Sequence, residues 1–109
     1  MADYVFIESR DPFESRDTPF VTQTANSLQQ EGKDVVVFLV QNGVLGARKR
    51  ARISEISQLV EAGVTLLADE FSLQERGIQA DELAPEIRAS NIDDLVDLLV
   101  QENTKAIWH

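Results

Sequence analysis

Two carboxylates follow an apolar segment in VTLLADEFSLQERGI (residues 64–78), and their position decides which chemistry they can perform. Asp69 and Glu70 stand where a predicted strand ends and a predicted helix begins. A carboxylate at such a junction can cap the helix by accepting hydrogen bonds from its free N–H groups. It can also bind a cation or a basic partner, or accept a phosphoryl group. Capping is the simpler interpretation of Asp69, and the sequence leaves the other roles open.

Other polar residues and one glycine follow further apolar segments or border predicted helices. Ligands of open α/β sheets bind beyond the carboxyl ends of the parallel strands, although that edge is polar in any such domain. For Arg76, pairing with nearby carboxylates is the simplest role, and contact with a sulfur anion or phosphate is the more specific alternative. We assign the candidate ligand or partner cleft to Asp11, Asn42, Gly43, Asp69, Glu70, Arg76 and Ser90.

The cysteine and histidine content excludes several reactions. Because the chain has no cysteine, it cannot form disulfides, use a thiol nucleophile or hold a metal through thiolates. The single histidine, His109, is the last residue, where we expect it to be mobile and without a role. Gly43 and Gly46 fit neither the P-loop nor the dinucleotide-binding spacing. We therefore expect no catalytic function, no cofactor and no metal.

The formal net charge of −9 argues against nucleic acids and anionic membranes as partners. One basic run, RKRAR (residues 48–52), interrupts this acidity, and phosphate or an acidic sister subunit fits it better than nucleic acid does. The first residues lack a signal-peptide profile, and the longest apolar run, residues 35–40, is too short to span a bilayer. We expect a soluble, cytoplasmic protein.

Apolar segments and helix-like segments alternate along the chain, which predicts an α/β fold with a parallel sheet in one domain, residues 1–109. Crossovers are right-handed, so helices cover both faces if the strand order reverses once. The strands are predicted at residues 2–8, 34–40, 64–69, 87–89 and 104–109, and the helices at residues 18–31, 53–63, 71–76 and 90–103.

Helical spacing predicts which side chains are buried and which are available to a partner. In the last helix, capped by Ser90 or Asn91, the predicted buried stripe is Ile92, Leu95, Val96, Leu99 and Val100. In the first helix, one apolar side is predicted at Phe20, Val21, Thr24 and Leu28. Phe13 and Phe20 flank the first loop and suit packing against a neighbouring subunit, and Trp108 suits core or interface packing.

Three stretches resemble the DsrE/DsrF/TusD-like sulfur-relay family: VVVFLVQNGVLGAR, GVTLLADEFSLQERGI and the closing SNIDDLVDLLVQENTKAIWH. The resemblance implies a three-layer sandwich with a five-stranded parallel sheet and helices on both faces. It also implies trimeric or hexameric assembly and a role in moving sulfane sulfur between proteins. Carrier members of that family hold the sulfur on a cysteine just after the third strand, and that position corresponds to Asp69 here.

A carboxylate cannot form a persulfide, so the resemblance predicts a family member without carrier chemistry. We expect a non-catalytic oligomer, either a homo-trimer or homo-hexamer or a mixed complex with a cysteine-bearing sister subunit. A small-ligand-binding α/β domain remains an alternative.

A second alternative is a phosphoacceptor domain of the response-receiver type. Its acids would be Glu8 or Asp11, its acceptor Asp69 and its hydroxyl Ser90, with Mg²⁺ bridging the oxygens. Against this assignment, Lys105 starts the last predicted strand and would point to the wrong edge.

Overall fold

A five-stranded sheet forms the middle layer of the fold, and the computed structural model describes it within residues 2–109. Residue 1 of the expected domain lies outside the described residues. The strands lie in the order β4-β3-β2-β1-β5, and every pairing between neighbours is parallel. This confirms the predicted parallel sheet. The strands are β1 Tyr4–Glu8, β2 Val35–Leu39, β3 Thr65–Asp69, β4 Ile87–Ser90 and β5 Lys105–Trp108.

In the described part of the chain, one α-helix connects each strand to the next. These helices are α1 Thr18–Gln30, α2 Ser54–Ala62, α3 Glu70–Glu75 and α4 Ile92–Leu99. Two 3₁₀ segments, Gln41–Ala47 and Ala80–Glu82, lie between them. None of the helices within residues 2–109 has the length and apolar character that crossing a bilayer requires.

The strand order places helices on both faces of the sheet. The chain moves in one direction from β1 to β4 and then returns to place β5 on the far side of β1. Because parallel crossovers are right-handed, this reversal moves α4 to the opposite face from α1, α2 and α3. The predicted three-layer α/β architecture is therefore confirmed.

Two separate hydrophobic cores result, because successive side chains of a strand point to opposite faces. In β2, Val37 points to the first-face core, and Phe38 points to the second-face core. The first-face core contains side chains from α1, α2 and α3, among them Val21, Leu59 and Leu73. The second-face core receives α4, through Leu95 with Leu98 and Leu99.

The predicted buried stripe of α4 is wrong for three of its residues. Leu95 is buried, and Leu98 and Leu99 pack beside it. Ile92, Val96 and Val100, however, are 58%, 49% and 74% exposed. The helix is apolar on two sides, and a single helix on a sheet can turn only one of them inward.

The predicted apolar side of α1 is also corrected at one position. Val21 and Ala25 are buried, and Leu28 packs against the first-face core. Phe20 is 71% exposed and points away from that core. The neighbouring residue Val21 takes the inward position, since adjacent residues on a helix face in different directions.

The 3₁₀ segment after β2 passes very close to the end of β1 at Gly43. A side chain at this position would bring its Cβ well inside contact distance of the Glu8 carbonyl oxygen. The Gly43 N–H donates to the Val40 carbonyl oxygen at 2.8 Å, so the backbone is also fixed there. Gly43 is therefore required for close packing between two backbone segments.

We predict that Gly43→Ala lowers the free energy of unfolding by about 1–3 kcal/mol, because the added methyl group must displace backbone. Urea unfolding followed by circular dichroism measures the change. Gly46→Ala is the matched control, since its Cβ would meet only side-chain atoms, Pro12 Cγ at 3.0 Å and Ile53 Cδ1 at 3.2 Å. An equal loss in both variants would contradict the backbone explanation.

Candidate functional site

Asp69 is the N-cap residue of α3. It ends β3, and its Oδ2 accepts hydrogen bonds from the Ser72 N–H at 3.0 Å and the Ser72 hydroxyl at 2.7 Å. Both residues are buried. Helix capping, the simpler of the roles that the sequence allows, is therefore what the Asp69 carboxylate performs in this structure.

Ser72 extends the cap to the end of β2. Its Oγ accepts a hydrogen bond from the Gln41 N–H at 2.8 Å. Gln41 has a φ of 50°, a left-handed conformation that is uncommon for a residue with a side chain. The hydrogen bond from Gln41 to Ser72 helps to hold this backbone, so the cap of α3 also fixes the turn that begins the 3₁₀ segment.

Arg76 reaches across to the same turn. Its Nε and Nη2 donate to Asn42 Oδ1 at 3.1 and 3.0 Å, and its Nη1 donates to the Ser72 carbonyl oxygen at 3.1 Å. The expected carboxylate partner is only a distant one, Glu75 at 3.8 Å. A side-chain amide is thus the main partner of Arg76. Asn42, Asp69 and Arg76 are joined through Ser72 into one network at the ends of β2 and β3.

The remaining candidate residues lie around this network and make local contacts. Asp11 Oδ1 accepts from the Phe13 N–H at 2.9 Å, and Asp11 borders an open groove of about 510 Å³ together with Asn42. Ser90 pairs with Asp69 in the strand register, but its hydroxyl donates to Asp94 Oδ2 at 2.7 Å. Glu70 is exposed in the first turn of α3. A ligand-binding role for these residues stays a prediction.

Glu8 and His109 form a pair that was not predicted from the sequence. His109 Nδ1 lies 3.0 and 2.8 Å from the two carboxylate oxygens of Glu8, which is buried. The His109 N–H donates to the Ile7 carbonyl oxygen at 2.8 Å, and its own carbonyl accepts from the Ser9 N–H at 2.9 Å. The expectation that His109 is mobile is therefore wrong, because pairing of β5 with β1 fixes it.

The topology separates Glu8 and Lys105 from Asp69, although a phosphoacceptor site needs an acid and a lysine beside its acceptor. A receiver sheet has the order 2-1-3-4-5, in which β1 is next to β3. Here β2 separates them, so Glu8 and Asp69 lie about two strand spacings, roughly 10 Å, apart. Lys105 begins β5 at the opposite edge. Within residues 2–109, no cluster of three or more acidic, histidine or cysteine side chains could hold a metal ion.

The all-parallel sheet, with three helices on one face and α4 on the other, defines a three-layer α/β protein with its polar network at the carboxyl edge. The chain belongs to the DsrE/DsrF-like family, whose model matches residues 2–106. No curated protein matches its sequence.

Solved structures share the fold over nearly the whole chain. The ychN protein from E. coli has a TM-score of 0.86 at 16% identity and covers 100% of both chains. MTH1491 from Methanobacterium thermoautotrophicum, a protein of unknown function, has a TM-score of 0.74 at 19% identity, and the match covers 97% of this chain and 96% of MTH1491. BT1422 from Bacteroides thetaiotaomicron, also a protein of unknown function, has a TM-score of 0.76 at 18% identity. The match covers 98% of this chain and 95% of BT1422. At these identities the likeness concerns the fold alone.

We predict that Asp69→Ala lowers the free energy of unfolding by about 0.5–2 kcal/mol, the usual cost of losing an N-cap. The loss should exceed that of Asn91→Ala, because Asn91 Oδ1 caps α4 by accepting only from the Asp94 N–H, at 2.9 Å, whereas Asp69 also accepts from a buried hydroxyl. Urea titration of both variants measures the difference. A smaller loss in Asp69→Ala would contradict a structural role for the network.

Proposed function

We propose that this chain is a non-catalytic, oligomeric member of the DsrE/DsrF-like family that serves sulfur transfer as a structural or accessory subunit. The observation that supports this most directly is that position 69 holds a helix-capping aspartate. The family resemblance places the carrier cysteine at this position, and here a buried carboxylate caps α3 with two hydrogen bonds from Ser72. The proposal places the assembly in the cytoplasm, as the sequence predicts.

The chemistry of the position supports the loss of the carrier role. A sulfur carrier needs a thiolate, and a helix N-terminus is a place where a thiol is readily ionised. Asp69 has no sulfur atom, and no other of the 109 residues is a cysteine that could replace it. The fold of the carrier proteins is thus retained while the atom that would bear the sulfur is absent.

Exposed apolar side chains support assembly with other subunits. Ile92, Val96 and Val100 recur every four residues and therefore form one stripe along α4. Ile107 and Trp108, on the edge strand β5, are 38% and 64% exposed. Large apolar groups grouped at a surface mark interaction sites. We propose that a homo-trimer, a homo-hexamer or a mixed complex with a cysteine-bearing sister subunit covers them.

We predict a native mass of three or six chains, measured by mass spectrometry under non-denaturing conditions. Val96→Glu on α4, or Phe20→Glu on α1, should lower that mass, because a charge in an apolar interface is costly to desolvate. Asp69→Ala should leave the mass unchanged, and Gln23→Glu, at an exposed polar position of α1, is the matched charge control. A monomeric wild-type chain would contradict homo-oligomerisation, and a mass that survives both apolar substitutions would contradict the proposed interfaces.

We also predict that Asp69→Cys binds sulfane sulfur from inorganic polysulfide, seen as a reductant-sensitive mass gain of one sulfur atom. The wild-type chain should gain none. Gln58→Cys, at an exposed position within α2, controls for ordinary thiol reactivity and should react more slowly, because it is not at a helix N-terminus. If Asp69→Cys reacts no faster than Gln58→Cys, Asp69 does not occupy a carrier position.

A further inference from the structure

A groove beside the basic run 48–52 combines positive charge with apolar walls. It lies between α2 and the connection from the second 3₁₀ segment to β4, and its volume is about 390 Å³. Its apolar lining comes from Ile53, Ile56 and Val60 on one side and from Ala84 and Pro85 on the other. Its basic lining consists of Arg48, Lys49 and Arg52. We call this the basic groove.

The cations of the basic run form no ion pair within the described residues. Lys49, Arg50 and Arg52 are exposed, and among residues 2–109 none of the three forms an ion pair. This is notable in a chain with 19 acidic and 10 basic residues, where acidic partners are abundant. Four like charges within five positions repel one another, and an external anion would relieve that repulsion.

The basic run is held in place before any ligand arrives. Lys49 N–H donates to the Glu82 carbonyl oxygen at 2.8 Å, and Ala84 N–H donates to the Ala47 carbonyl oxygen at 2.9 Å. Arg48 is fixed by its Nε, which donates to the Leu45 carbonyl oxygen at 2.9 Å. The backbone that presents the cations is therefore preorganised, which lowers the entropic cost of binding.

The charges around the basic groove indicate the size of the ligand. Glu61 and Glu86 also line it, so its lining carries three cations and two carboxylates. A long polyanion, such as an acidic protein segment, would approach both carboxylates and be repelled. A ligand with one anionic head can contact the cations alone and place an apolar body against the walls. Its volume of about 390 Å³ lies within the range of small-molecule pockets.

We propose that the basic groove binds a small organic anion, with a phosphate, sulfonate or carboxylate head at Arg48, Lys49 and Arg52 and an apolar body against Ile53, Ile56 and Val60. This site is separate from the Asp69 network and goes beyond the proposed function, on which it does not depend.

Isothermal titration calorimetry with three probes tests the proposal: hexyl phosphate, inorganic phosphate and hexanol. Hexyl phosphate should bind about tenfold more tightly than inorganic phosphate, because its alkyl chain buries apolar surface. It should also bind more tightly than hexanol, which has no charge. Absence of hexyl phosphate binding, or an affinity that either fragment alone reproduces, would overturn the proposal.

A double charge reversal locates the site. Lys49→Glu with Arg52→Glu should weaken hexyl phosphate binding about tenfold or more, since both cations at the head become repulsive. Lys33→Glu with Arg88→Glu makes the same change in net charge at exposed positions outside the groove and should leave the affinity unchanged. Equal weakening in both double variants would show a general effect of charge and overturn the assignment. Circular dichroism checks that both double variants are folded. If the Lys49→Glu, Arg52→Glu variant is not folded, the neutral pair Lys49→Gln with Arg52→Gln takes its place.

Two further measurements separate this proposal from its alternatives. The first measures the affinity of an oligo-glutamate peptide for the wild-type chain and for the Lys49/Arg52 variant. If the peptide binds the wild-type chain more tightly than hexyl phosphate does, and binds the variant more weakly, the ligand is an acidic protein partner and the proposal is overturned. The native mass of the Lys49/Arg52 variant should equal that of the wild-type chain. Since binding and mass are measured separately, failure of the groove proposal is distinguishable from failure of the proposed assembly.

Discussion

The return of the chain from β4 to the far side of β1 is the constraint on which the rest of the structure depends. Parallel strands cannot be joined by tight turns, so each connection crosses a face of the sheet. Three crossovers in one direction stack α1, α2 and α3 on the first face, and the reversed crossover leaves the second face to α4. One eight-residue helix brings Leu95 to that core and leaves its other apolar side outward. The exposed stripe is thus a consequence of the strand order.

At the carboxyl edge, the same topology brings polar groups together for stability. The Asp69 carboxylate, the Ser72 hydroxyl and the Gln41 N–H link the starts of α3 and of the 3₁₀ segment, and Arg76 adds Asn42. A hydrogen bond contributes about 0.5–1.5 kcal/mol net, a sizeable part of the 5–15 kcal/mol that typically stabilises a domain. The Asp69 carboxylate therefore contributes to the stability of the fold through the cap of α3 and the network that it joins.

Sequence patterns predicted the features that depend on nearby residues. The strand predicted at residues 34–40 is β2, Val35–Leu39, and the helix predicted at residues 53–63 is α2, Ser54–Ala62. Features that depend on strand order were not predictable. His109 pairs with Glu8 across 101 positions, and Arg76 meets Asn42 across 34. Likewise, Ile92 and Leu95 are both apolar, and only the position of the sheet decides which of them is buried.

The pairing of β1 with β5 also has a consequence for synthesis of the chain. β1 is formed from residues 4–8, yet its outer partner is formed from residues 105–108. While the intervening residues are translated, β1 has unpaired N–H and C=O groups along one side and can attach to another strand. Contacts this distant in sequence also slow folding. A nascent chain is therefore exposed to aggregation at this edge until β5 is made.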